Sequence, residues 1–173
     1  MPDSSYQPDI YREPIAGGGT SMVFKAAGTI KENVPVNATA ATLTVTGNAH
    51  GGKVITLNRA AGITVTLPAA SGTGAEYRFF VGTTCTSNNY IIQVADGTDV
   101  MSGVCLLAQD AADTAVMFET AADSDTITMN GSTKGGIKGD FIHLIDVAAD
   151  LWSVRIVGSG TGTEATPFSA AVA

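Results

Sequence analysis

The chain has 173 residues, a formal net charge of −7 and only 14% charged residues. The length allows one domain with a buried core plus an arm or tail, and the acidic balance argues against nucleic acid as a partner, because phosphates are neutralised by Lys and Arg. Few charges with abundant Gly, Ala and Thr are typical of thin β-structure and of surfaces that contact other proteins.

The first 19 residues differ from the rest of the chain. Pro2, Pro8 and Pro14 exclude a helix and a central strand, and the glycines at 17–19 form a hinge. We therefore predict an extended N-terminal arm over residues 1–19. A disordered tail is the alternative, but the arm carries apolar anchors that can order on a partner such as a neighbouring subunit. These anchors are Tyr6, Ile10, Tyr11 and Ile15.

The connecting segment, residues 20–37, contains an apolar run at 22–24 that fits a short strand or a brief helix around 23–27. The N-terminus has neither the basic nor the apolar region of a secretory signal, and no apolar run is long enough to cross a bilayer. We expect folding in a cytoplasm and no membrane partner.

The segment from Gly51 to Pro68, GGKVITLNRAAGITVTLP, is the most informative stretch. Its two runs, residues 54–57 and 63–67, alternate apolar and mostly Thr residues with a period of two. A five-residue break, Asn-Arg-Ala-Ala-Gly, separates them. This pattern predicts a β-hairpin.

The same alternation recurs through residue 160, with turns marked by Asp-Gly, Asn-Gly, Ser-Gly and Gly-Gly. About ten strands result, at the spacing of a β-sandwich or barrel. We predict an all-β, antiparallel sandwich or jelly-roll-like or barrel body over residues 38–160, followed by a Gly/Thr-rich tail over 161–173. The predicted runs are 42–46, 54–57, 63–67, 77–81, 90–94, 100–101, 104–107, 115–119, 125–130, 141–145 and 151–157.

Closely spaced aspartates are candidates for chemistry. Such pairs can bind calcium or act as glycosidase carboxylates, but each lies at a predicted turn, where Asp bonds its own backbone. We therefore interpret them as surface turn residues. The pairs are Asp96 with Asp99, Asp110 with Asp113, and Asp123 with Asp125.

The other candidate residues also favour a structural role. His143 is central in an apolar strand, and no nucleophile motif accompanies it. Cys85 and Cys105 lack zinc spacing and are expected to be free, buried thiols. Trp152 is either core or a platform for a sugar ring, and we favour core. We expect no catalytic residue, no metal and no cofactor, so that the protein is not an enzyme.

Two long segments carry a family resemblance. GKVITLNRAAGITVTLPAASGTGAEYRFFVGTTCTSNNYIIQVADG and its continuation, DTITMNGSTKGGIKGDFIHLIDVAADLWSVRIVGSGTGTEATPFS, resemble a module of tailed-phage virion proteins. The resemblance covers roughly residues 38–168. It is nearest to capsid decoration proteins, also called cement or head-stabilising proteins, with related modules in head and tail fibres.

The resemblance implies a structural virion protein on the capsid exterior, made in the host-cell cytoplasm. Its partners would be the major capsid protein and itself, as a homotrimer that bridges capsomers and stabilises the capsid. The N-terminal arm would bind the capsid or a neighbouring protomer. The alternative is a head-fibre, tail-fibre or spike module that binds a host-surface glycan. A third class, a small glycan-degrading enzyme, has only the scattered carboxylates in its favour.

Overall fold

Strands account for nearly all of the regular structure in the computed structural model, which describes residues 9–15, 19–25, 34–111 and 113–172. Side chains are described for residues 34–111 and 113–172. The chain forms two compact units, Met1–Glu32 and Asn33–Ala173. The second unit, called the body below, contains both large sheets.

The first unit contains a β-hairpin. Strand β1 (Asp9–Ile15) pairs antiparallel with β2 (Gly19–Lys25), and Pro14 lies opposite Thr20. A two-stranded sheet has only edge strands, which tolerate proline. The backbone at 9–15 is therefore extended, and residues 22–24 lie in a strand rather than in a helix.

The body is an all-β sandwich of two sheets, as the sequence predicted. The large sheet has the strand order β10-β9-β13-β12-β7-β5-β3, and the small sheet has the order β14-β11-β8-β6-β4. One short helix, α1 (Gly47–His50), interrupts the strands. The strands are β3 (Val36–Ala38), β4 (Thr42–Thr44), β5 (Val54–Leu57), β6 (Ile63–Thr66), β7 (Glu76–Val81), β8 (Tyr90–Gln93), β9 (Val100–Gln109), β10 (Ala115–Glu119), β11 (Thr126–Met129), β12 (Phe141–Ala148), β13 (Leu151–Gly160) and β14 (Phe168–Ser169).

The predicted hairpin at 54–67 is wrong. Strands β5 and β6 lie in different sheets, and each pairs in parallel with its neighbours on both sides. From β3 to β9 the chain alternates between the two sheets. The five-residue break therefore crosses the roughly 10 Å between packed sheets instead of turning within one sheet. Tyr90 holds this crossing, because its hydroxyl accepts the N–H of Arg59 (3.2 Å) and donates to the carbonyl of Thr83 (2.7 Å).

The prediction of an antiparallel sandwich needs a second correction, because both sheets are mixed. Strands β3, β5 and β7 run parallel, as do β4, β6 and β8, and β9 runs parallel to β13. All pairs that involve β10, β11, β12 or β14 are antiparallel. Strands β3 to β8 therefore alternate between two sheets in which they pair in parallel, and most pairs of the later strands are antiparallel.

The predicted turn at Ser102–Gly103 is also absent, since β9 runs through it as one strand. A Cβ atom at Gly103 would overlap the carbonyl oxygen of Val154 in the neighbouring strand β13. Glycine here permits a close approach of two backbones. It does not mark a turn.

The core lies between the two sheets and confirms two predictions. Trp152 is fully buried, with its ring 5.8 Å from the ring of Tyr77 at an interplanar angle of 55°. Cys85 and Cys105 are buried and unpaired. Phe168, in the segment predicted as a tail, is buried as well, and its strand extends the small sheet.

Candidate functional site: the outer face of the large sheet

The predicted arm residues fall partly within the described hairpin. Ile10 lies opposite Phe24 and Tyr11 opposite Val23, while Ile15 closes the hairpin opposite Gly19. Tyr6 lies outside the described residues. The role of these four residues in binding a capsid or a protomer stays a prediction.

Several aspartates of the predicted pairs accept hydrogen bonds from the backbone. Asp96 is exposed and accepts the N–H of Thr98 (3.0 Å), as predicted for a turn. Asp99 and Asp125 are buried, so the interpretation as surface turn residues is wrong for them. Asp99 accepts the N–H of Ala70 (2.9 Å). Among the residues that the structure describes, no group of three or more His, Cys, Asp or Glu side chains is placed to hold a metal ion.

Asp125 attaches the C-terminal segment to the body. Its carboxylate accepts the N–H groups of Ala171 (2.8 Å) and Val172 (3.1 Å). Residues 171–172 follow β14, which pairs with β11 just after Asp125. The segment after residue 160 is therefore held by both a strand and a buried carboxylate.

Asp146, at the end of the buried face of β12, organises the loop after residue 70. Its Oδ1 accepts the N–H groups of Ser71 (2.9 Å) and Gly72 (2.7 Å), and its Oδ2 accepts the N–H (3.0 Å) and the hydroxyl (2.6 Å) of Thr73. Burial alone would raise the pKa of Asp146, but these hydrogen bonds outweigh it and hold the pKa below its usual value.

Asp140 has the same function at the other end of β12. Its Oδ2 accepts the N–H groups of Gly136 (2.8 Å) and Ile137 (3.0 Å), and its Oδ1 accepts the N–H of Ser159 (2.9 Å). Burial raises the pKa of Asp140 despite these hydrogen bonds.

Asp140 and Asp146 were not among the predicted site residues, although their positions along β12 could have identified them. Both share the inward parity of Ile142 and Leu144 along β12. A carboxylate at a core position requires hydrogen-bond donors nearby. The buried aspartates therefore brace loops, and their acceptor capacity is directed to the backbone.

A depression of about 330 Å³ lies beside Asp146, lined also by Tyr77 and Pro68. The carboxylate there already accepts four hydrogen bonds from the loop. It therefore has little capacity left to move a proton to or from a ligand. Among the described residues, Asp146 is the one carboxylate that lines this depression, and its acceptor capacity is used by the loop.

The outer face of the large sheet carries an uninterrupted line of apolar residues. Register places them side by side on five neighbouring strands, β10, β9, β13, β12 and β7. We call this line the apolar row. Its members are Met117, Leu106, Val157, Phe141 and Phe80.

Three members of the apolar row are well exposed. Met117 is 67% exposed, Val157 60% and Leu106 40%. The described residues include only six exposed large hydrophobic side chains, and four of them, these three and Val104, lie on β10, β9 and β13. Contiguous exposed apolar surface of this kind marks a contact site more often than scattered exposed residues do.

A second line, the charged row, runs beside the apolar row. Register places Glu119, Val104, Arg155, His143 and Arg78 next to one another across the same five strands. His143 Nε2 lies 3.3 Å from the carboxylate of Glu76, as expected for a satisfied strand histidine. Beside it is a depression of about 170 Å³, lined by His143, Ile145, Ser153 and Arg155.

The outer face therefore combines an apolar stripe with charges of both signs. Such a surface can both bury apolar area and pair charges, as protein interfaces do. No helix in the described part of the chain is long and apolar enough to span a membrane. Comparison of the chain with protein-family models, curated proteins and solved structures finds no match.

Proposed function

We propose that the protein is a structural virion protein that binds the outer surface of a phage capsid, as a homotrimer, and stabilises the capsid by bridging capsomers. The exposed apolar row on the large sheet is the observation that carries this proposal. It equips a sandwich with a surface for protein contact. The partners are the major capsid protein and further copies of the chain.

The buried aspartates support a mechanical role. Asp99, Asp125, Asp140 and Asp146 each fix a loop or a terminal segment to the sandwich. A load-resisting bridge gains from such bracing, because loops otherwise open locally at low free-energy cost. Three copies that each make a weak contact with a different capsid subunit bind with high avidity when the geometry lets all of them engage.

The N-terminal unit provides the sharpest test of how the protein binds. Strand β1 pairs with β2 alone, so a deletion that ends at residue 19 would leave β2 without its partner. Deletion of residues 1–32 removes the whole unit. We expect the truncated protein to fold with an unchanged unfolding midpoint and to bind purified heads more weakly. Unchanged affinity for heads would exclude the arm as a binding element.

The alternative function, a fibre or spike module that binds a host-surface glycan, would use an exposed aromatic platform. Trp152 is fully buried and does not provide one. A glycan array distinguishes the two proposals. Saturable saccharide binding by the body would favour the fibre module, and binding to heads without saccharide binding would favour the decoration protein.

A further inference from the structure

We infer that the outer face of the large sheet, centred on Met117, Leu106 and Val157, is the surface through which copies of this chain associate. The inference rests on the proposed function, which supplies the expectation that the copies form a trimer. It adds the location of the interface and the residues that form it.

The size of the face is sufficient for a stable interface. Seven strands spaced about 4.8 Å apart span roughly 30 Å, and the longest strands rise roughly 33 Å. Because the edge strands are short, the usable area is on the order of 800 Å², which is about what each partner of a stable interface buries. The apolar row crosses five of the seven strands of this area and supplies the apolar surface that a buried interface requires.

The distribution of charge indicates that a second copy of this chain covers the outer face. The outer face carries Arg78 and Arg155 against Glu76 and Glu119, and is therefore neutral with His143 uncharged. The whole net charge of −7 lies on the rest of the chain. Two copies repel each other least where they meet through this neutral face, and a strongly basic partner would be attracted to the acidic remainder.

The arrangement of charges also fits a second copy. Glu119 lies on the edge strand β10, and Arg155 and Arg78 lie further along the same charged row. A neighbouring copy presents the same row, so an acid at one end can meet a base of the other copy. A contact between different ends of the row in two copies is head-to-tail, and such contacts close into a ring when the rotation between copies allows it, as a trimer requires.

The chain offers a matched pair of variants for the test. Val157 on the face has an exposure of 60%, and Val34 has a similar exposure of 55% but lies outside the strands, just before β3 at the edge of the large sheet opposite β10. Val157→Asp places a charge within the proposed interface, and Val34→Asp places the same charge on ordinary surface. Because both side chains are exposed, neither substitution removes core packing, and urea unfolding at low protein concentration verifies the fold.

The measurement is the molar mass of the full-length protein by light scattering and sedimentation over a range of concentrations. We expect the wild type and Val34→Asp to have three times the 17.6 kDa mass of one chain. We expect Val157→Asp to dissociate, with a dissociation constant at least about 100-fold higher because a charge is buried without a partner. A monomeric wild type, or identical masses for the two variants, would overturn the inference.

Binding to purified heads separates this inference from the proposed function. Association that Val157→Asp abolishes, without any binding of the wild type to heads, would support the interface and refute the decoration role. A monomeric wild type whose binding to heads is lost in Val157→Asp would assign the face to the capsid. That result would overturn the inference, support the binding to the capsid in the proposed function and contradict its homotrimer.

Discussion

Substitution of Asp146 by Asn tests the bracing of the loop after residue 70. The aspartate accepts two hydrogen bonds at each carboxylate oxygen, from Ser71, Gly72 and Thr73. Asparagine keeps the shape but replaces one oxygen with an amide NH₂, which is a donor. At least one backbone N–H then faces another donor, and the remaining hydrogen bonds lose their charged acceptor.

The expected loss of stability follows from these contacts. A hydrogen bond to a charged group contributes about 1.5–3 kcal/mol. Because Ser71 and Thr73 are exposed and water can replace part of what is lost, we expect the free energy of unfolding to fall by about 2–3 kcal/mol. For a chain of this size that corresponds to a decrease in Tm of roughly 4–12 °C.

Urea unfolding at pH 7 and at lower pH measures this effect. The pKa of Asp146 is lower in the folded protein than its usual value of 3.8. Its contribution is therefore fully present above about pH 4 and is lost as the pH falls through the folded-state pKa, because the unfolded state then binds more protons. The stability difference between wild type and Asp146→Asn should shrink in acid.

Asp96→Asn is the matched control. Asp96 also accepts hydrogen bonds from a threonine two residues away, but it is exposed, so we expect little change in stability. Equal effects of the two substitutions, or an Asp146→Asn protein as stable as the wild type at pH 7, would refute the bracing role.

Three further predictions concern the interior of the body. The pKa of Asp140 is raised by burial, so the folded state binds more protons between pH 3.8 and the folded-state pKa. The stability of the wild type relative to Asp140→Asn should therefore increase as the pH falls toward 4, the opposite of Asp146, and an unchanged difference in urea titrations would refute this. Gly103→Ala should lower the free energy of unfolding by at least about 2 kcal/mol, because the added Cβ overlaps the backbone of Val154. Ser102→Ala, at the exposed neighbouring position, should change the free energy of unfolding little. Equal urea midpoints for the two variants would contradict the close approach of the two backbones. Burial raises the pKa of Cys105 to about 12, so this thiol should not react with Ellman's reagent at pH 8 until the protein unfolds; rapid reaction in the native state would contradict the burial.

Much of the strand content could be predicted from the alternation of apolar and polar residues. Runs such as 54–57, 63–67 and 77–81 coincide with β5, β6 and β7 to within one residue. Sheet membership could not be predicted in the same way. Alternation reveals which side chains face the core, and it is the same whether two runs lie side by side in one sheet or face each other across the core.

For the same reason, only part of the candidate site could be predicted from the sequence. The parity of Leu106 and Val157 within their strands indicates an outward position, but only the parallel pairing of β9 with β13 makes them neighbours. That pairing joins strands about 50 residues apart, and no local pattern encodes it. Asp146 is different, because its inward parity could have identified a buried carboxylate from the sequence alone.

The copy number of this chain in purified virions, determined by quantitative mass spectrometry against the major capsid protein, tests the central claim most directly. The proposed function predicts an abundance comparable to that of the capsid protein. A few copies per particle would indicate a fibre or spike instead, and absence from the particles would contradict a virion role altogether.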